Sequence, residues 1–238
     1  MRIDLYQGES LLCTLAQETA NDGVEDWTIP LDFPEASSYR IRITSLNGEL
    51  AVSDAGDGTF RTMKQAVWDA YTRKDTYVAD STPNRNYGSW DKLELGTDSK
   101  LGLITNHSRT LIGFDVADNV PASVTVRRAT LQVFLTEVSG AVPFQALIGW
   151  VVGPWSEGNV NWKSQPEARA VEGMIYSVPR GTGYVEFDVT RQVQEMVRLG
   201  SDEGFLLTAV SEGGREALVL FASREQGTPA RLTVVYVP

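Results

Sequence analysis

Tyr184-Val185-Glu186-Phe187-Asp188-Val189-Thr190 changes between polar and apolar at every step, with Val185, Phe187 and Val189 on one side and the polar residues on the other. A period of two is the signature of a strand with one face buried and one face wet. The same alternation recurs upstream. Arg128 to Leu135 turns Ala129, Leu131, Val133 and Leu135 inward, and Arg109 to Val116 does so with Ile112, Phe114 and Val116. Asp75–Val78, Lys92–Leu95, Phe205–Val210, Ala217–Ala222 and Leu232–Val237 add further strand-like runs. One helix is expected among them: Thr190 can cap it, Val193, Met196 and Val197 share a face, and Gly200 can close it in the left-handed conformation. Eight or more antiparallel strands with long connections predict an all-β, jelly-roll-type sandwich over residues 75–238.

Residues 1–62 also read as strands. Ile3 and Leu5, Leu11 to Leu15, and Tyr39, Ile41 and Ile43 alternate with polar neighbours, while Asn21-Asp22-Gly23, Asn47-Gly48 and Asp57-Gly58 supply turns. A small immunoglobulin-like β-sandwich fits. Between the two domains, Met63, Val67, Ala70 and Tyr71 fall on one helical face of a stretch without Gly or Pro, so residues 63–74 are expected to form a short helix or ordered linker.

The 238 residues are 42% hydrophobic and 22% charged, an ordinary globular composition, and carry a net charge of −10. That acidity argues against a nucleic-acid partner, whose phosphates demand clustered Lys and Arg. Cys13 is the single cysteine, so no intrachain disulfide or cysteine-based zinc site can form. His107, the single histidine, is expected in a solvated turn, Thr105-Asn106-His107-Ser108, which also spells a glycosylation acceptor. No run of 18 apolar residues is present to span a membrane, and Met1-Arg2-Ile3-Asp4 does not read as a signal peptide.

The series Asp75-Thr-Tyr-Val78, Asn84-Arg-Asn-Tyr-Gly88, Leu111-Ile-Gly-Phe-Asp-Val116, Ala129-Thr-Leu131, Trp155-Ser-Glu-Gly-Asn-Val-Asn-Trp162 with Pro166, Phe187-Asp-Val-Thr190 and Phe221-Ala-Ser-Arg-Glu225 spans nearly all of 75–238. In that order it resembles the DNRLRE family, also classed as carbohydrate-binding module family 96 and related to repeats of methanogen disaggregatase-like surface proteins. Asn21-Asp22-Gly23 through Pro30, Ser38 to Ser45 and Thr59-Phe60 are similar to the Ser-Thr-rich, GPI-anchored-type repeat, an immunoglobulin-like module of microbial surface proteins. These resemblances imply an extracellular or cell-surface module, cut from a longer chain whose signal peptide and anchor lie elsewhere. They also imply a polysaccharide or surface-glycan partner, or a structural, adhesive role in a surface layer or filament with neighbouring copies as contacts.

Large aromatics bury much area and dominate either a core or a ligand platform. Trp155 and Trp162, bracketing a folded-over loop, are candidates for stacking on sugar rings, although Val160 and Pro166 beside them favour a packing role. Trp90, Tyr87 and Trp150 are alternative platforms, with Arg85 as a polar neighbour. Asp188 reads as a cap for the helix after it. Alternatively Asp75, Asp80, Asp115 and Asp188 could supply hard oxygens to a structural calcium ion. Catalysis is not expected: no two of the acids are set apart by spacing, and a lone histidine in a turn gives no nucleophile its base. The expected function is non-catalytic polysaccharide binding, with a neutral glycan suiting the acidic chain.

Overall fold

The computed structural model describes residues 1–30, 32–46, 52–100, 104–140, 144–201, 203–212 and 216–238. The Asn47-Gly48 turn lies outside them. The chain divides into two compact units, Met1–Lys64 and Gln65–Pro238. The all-β class expected from the alternation holds throughout.

In the first unit, β1 (Arg2–Gln7), β2 (Ser10–Ala16), β3 (Ala36–Thr44), β4 (Ser53–Ala55) and β5 (Phe60–Thr62) form one antiparallel sheet. β3 pairs with β1 along its length, and separately with β4 and β5. Leu5 and Tyr39 are fully buried. A relay of rings, Trp27 to Phe33 to Tyr39 to Phe60 with centroids 5.3–5.8 Å apart, packs the long β2–β3 connection onto the sheet.

The second unit contains β6 (Ala66–Tyr71), β7 (Lys74–Ala79), β8 (Lys92–Lys100), β9 (Ile104–Gly113), a short helix α1 (Val116–Asn119), β10 (Thr125–Gly140) and β11 (Phe144–Val151). It continues through β12 (Ala168–Ala170), β13 (Tyr176–Val178), β14 (Gly183–Asp188), helix α2 (Thr190–Leu199), β15 (Phe205–Ala209), β16 (Ala217–Ala222) and β17 (Arg231–Val237). Alternate residues of these strands meet in one core. Ile112, Leu131, Val133, Phe187, Phe205, Leu207, Phe221 and Leu232 belong to it, and α2 contributes Val193, Met196 and Val197.

The hydrogen-bonded path runs continuously around this sandwich because two long strands change partner along their length. β8 pairs with β16 over Lys92–Thr97 and with β9 from Gly96 to Lys100. Gly96 makes that change possible: its φ is +124°, and a Cβ there would sit 2.2 Å from the Ala217 carbonyl oxygen. β10 pairs with β17 over its first half and with β16 over its second, with an irregularity between Leu135 and Glu137.

Four sequence expectations are corrected. Residues 66–71 are not helical but form β6, paired with β17 from Ala66 opposite Tyr236 to Tyr71 opposite Arg231. Ala66, Trp68 and Ala70 turn inward while Val67, Asp69 and Tyr71 face solvent. The period is therefore two, and the helical spacing of Met63, Val67, Ala70 and Tyr71 is coincidental. His107 lies in strand β9, not in a turn. Thr190 does not cap α2; Val189 occupies that position. Thr190 Oγ1 instead accepts the Ala129 N–H, while Asp188 accepts from the Thr190 backbone, the role the capping reading gave it. Finally, Val116 is buried as expected but begins α1 instead of ending a strand.

Candidate functional site: a polar sheet face and a second cleft

The six candidate ligand residues separate into three settings. Trp155 is only 8% exposed and packs with Val78, Leu111, Val151, Val160 and Leu206 in a second cluster, to which the half-buried Trp162 adds. Leu111 and Leu206 sit one residue from Ile112 and Phe205, which face the main core. The outer face of this sheet is thus dry, roofed by the loop the two tryptophans bracket. The Trp155 indole N–H donates to the Glu203 carbonyl at 2.9 Å, and the Lys74 ammonium stands 4.4 Å from its ring centroid. Trp150 is buried in the main core.

Arg85, Tyr87 and Trp90 do come together. Tyr87 is buried against Tyr77 at 4.1 Å between centroids, Trp90 meets Tyr87 edge-on at 5.0 Å, and the Arg85 guanidinium lies over both rings at 5.1 and 5.0 Å. Trp162 carries the Arg109 guanidinium at 4.4 Å. Cationic side chains therefore lie over the rings expected to receive sugar.

The exposed rings are elsewhere. Tyr71 on β6 and Tyr184 on β14 are 62% and 59% exposed. They border opposite edges of one face, because β14, β10, β17 and β6 are neighbours in that order. Register defines its rows: Tyr71–Arg231–Gln132–Glu186 and Asp69–Thr233–Thr130–Asp188 each cross all four strands. Three interstrand spacings make the face about 14–15 Å wide. The same face carries a groove of about 260 Å³ lined by Arg128, Thr130, Gln132, Glu186, Arg231 and Thr233, with Val235, and both tyrosines stand at its Arg231–Gln132–Glu186 end, outside its lining.

The polar groups of this groove hold one another in place. Arg231 donates from Nε and Nη2 to both carboxylate oxygens of Asp69, Thr233 donates to the same carboxylate, and the Gln132 amide donates to Glu186 at 3.1 Å. The Arg231 guanidinium holds the Asp69 carboxyl below its ordinary value, so the pair stays ionised. Such planar, prepaired groups retain unused donors and lone pairs directed outward, suited to vicinal hydroxyls. The sequence places Tyr184 and Glu186 on the wet side of their strand but does not reveal the site, because residues 63–74 read as a short helix or ordered linker and not as the strand β6.

A second cleft, about 440 Å³, opens on the outer side of β9 and β15 and is lined in part by Arg109, Gln165, Glu167, Thr208 and Glu212. Arg109 is bidentate to Glu212 at 2.7 and 2.6 Å and donates to Gln165 at 3.1 Å.

The four candidate calcium ligands are not brought together. Asp75 accepts the Arg224 N–H, Asp80 grips His107 through its backbone and ring, Asp115 pairs with Arg73, and Asp188 serves Thr190. Among the described residues no group of three or more His, Cys, Asp or Glu is placed to hold a metal. Asn106 is buried, its amide donating to Ser108 and its carbonyl accepting from Ser81, so the glycosylation acceptor is not presented. No helix among the described residues is long and apolar enough to cross a membrane.

Residues 66–236 match the family model described as carbohydrate-binding module family 96. Its limits are Ala66 and Tyr236, the paired residues at one end of the β6–β17 ladder. No curated protein matches the chain.

Proposed function

Because the chain belongs to carbohydrate-binding module family 96, we propose that its Gln65–Pro238 unit holds a neutral polysaccharide on the outer face of β14, β10, β17 and β6, without breaking glycosidic bonds. The observation that carries this reading is one sheet face that joins a groove of mutually oriented polar side chains to two exposed tyrosines at one end of it. Tyrosine rings offer apolar faces to pyranose rings, and the groups in the adjoining groove offer donors and acceptors to hydroxyls. Arg128 and Arg231 stand against Asp69, Glu186 and Asp188, and the whole chain carries −10, so a polyanion would be repelled. The module works outside the cell or at its surface in this reading, the N-terminal unit serving as an immunoglobulin-like spacer.

Affinity electrophoresis across neutral polysaccharides tests the site. Tyr71→Ala and Tyr184→Ala should each weaken retention by roughly tenfold, the loss of one well-placed aromatic contact. Melting temperature should hardly move, since both rings are mostly in water. Retention unchanged in both variants would remove this face from consideration.

A structural or adhesive role has one observation in its favour. β2 ends its sheet, and Ser10–Ala16 carries no charge or proline and exposes Leu11 and Leu12. Such edges invite strand addition. Sedimentation velocity would then show concentration-dependent association that Leu12→Lys abolishes; a monomer at every concentration would end this reading.

A further inference from the structure

The two clefts of the second unit repeat one chemistry on opposite sides of one core. In the first, Arg231 is bidentate to Asp69 with Gln132, Thr130 and Thr233 alongside. In the second, Arg109 is bidentate to Glu212 with Gln165 and Thr208 alongside. Strand parity places them back to back. Thr130 and Gln132 alternate with Leu131 and Val133, and Thr208 and Arg109 alternate with Leu207, Phe205 and Ile112, all of which face the shared core.

We infer that the Arg109 cleft is a second glycan site, and that the module therefore binds two separate polysaccharide chains and cross-links them. This rests on the reading of the first face as a glycan site. The recognition argument is the same in both places. A guanidinium locked to a carboxylate in one plane is a rigid donor–acceptor pair, and its remaining N–H groups and lone pairs match adjacent hydroxyls. In the second cleft the lock is tightened from beneath, since Trp162 stacks on Arg109 and the Gln165 amide, which accepts from Arg109, donates to the Trp162 carbonyl at 2.8 Å. Glu212 hydrogen-bonded to Arg109 raises the guanidinium's already high pKa, so this pair too stays ionised. Ala168 and the exposed Val210 give one side of the cleft a small apolar surface on which a sugar ring can rest. Two stacked sheets stand about 10 Å apart, with their outer faces pointing in opposite directions. A stiff chain lying on one face cannot also lie on the other, so two occupied sites mean two chains.

The test uses the full chain with three soluble neutral polysaccharides: a mixed-linkage β-glucan, an arabinoxylan and a galactomannan. The wild-type protein should raise the turbidity or viscosity of at least one of them as a monomer, and titration with oligosaccharides of that backbone should give two sites. R109A/E212A removes both partners together and leaves no unpaired charge, while T208V removes one hydroxyl and keeps the strand packed. R109A/E212A should abolish cross-linking and halve the stoichiometry, while T208V should weaken one of the two sites severalfold and shift cross-linking to correspondingly higher protein concentration. Y71A/Y184A should leave the other single site. A wild type that binds one chain, with affinity lost in Y71A/Y184A and untouched in R109A/E212A and T208V, overturns the second site while sparing the first. No binding to any of the three polysaccharides overturns both.

Discussion

Trp155→Ala is expected to lower the unfolding free energy by about 3–5 kcal/mol, the range for truncating a buried large aromatic. The ring fills the centre of the cluster formed by Val78, Leu111, Val151, Val160 and Leu206, so alanine leaves a cavity that the sheet beneath cannot close. Polar losses add to it. The Glu203 carbonyl loses its donor, and Lys74, which also donates to the Trp155 carbonyl at 3.0 Å and to the Glu203 carboxylate at 2.7 Å, loses the ring beneath it. Trp155→Phe separates the contributions: it keeps much of the volume, orphans the carbonyl, and should cost about 1–3 kcal/mol. Trp162→Ala, at the half-buried margin of the cluster, should fall below both. Urea titrations followed by circular dichroism would order the three. A Trp155→Ala protein as stable as wild type would mean that the loop is held by something other than this ring.

The strand content was legible because alternation is local: Tyr184 to Thr190 states its two faces in seven residues. What lies against each face is not local. Trp155 and Trp162 look alike in the sequence, yet one closes a core and the other braces an arginine, because the loop between them folds back over Leu111 and Leu206. β6 is ambiguous in the sequence for a related reason. Its spacing satisfies a helix as well as a strand, and the deciding contact is with β17 near the other end of the chain. That ambiguity hides the polar face, since Tyr71 and Tyr184 share a face only once β6, β17, β10 and β14 are known to be neighbours. The aspartates failed to gather for the same cause: a carboxylate's partners, Arg73 for Asp115 or His107 for Asp80, are assigned by strand order and not by spacing.

Between pH 5 and 8 the wild-type protein should lose stability through Asp75, and Asp75→Asn should abolish most of that loss. Asp75 is 1% exposed, and its Oδ1 has no hydrogen-bond partner. Burial, with Glu225 and Glu157 adding negative charge, pushes its carboxyl up to about 7, against a partial offset from the Arg224 N–H and guanidinium. The unfolded value is 3.8. The native state therefore binds the extra proton between those values, and stability must fall as pH rises across them. The contribution is fully present below about pH 4 and is lost as pH passes 7. The gap corresponds to a loss on the order of 2–4 kcal/mol. Asparagine keeps an oxygen for the Arg224 N–H and carries no titrating proton. Glu157 stays fixed, bidentate to Arg224 and accepting the N–H of residue 75. Asp69 and Glu195, whose carboxyls hydrogen bonds from Arg231 and Arg198 hold below their ordinary values, act in the opposite sense, costing stability as pH falls. Urea unfolding at pH 5, 6, 7 and 8 should show the wild-type curve descending and the Asp75→Asn curve nearly level, so that the variant is the more stable protein at pH 8. Parallel curves would mean that Asp75 is ionised in the native state across the whole range, and that the unsatisfied oxygen is reached by solvent.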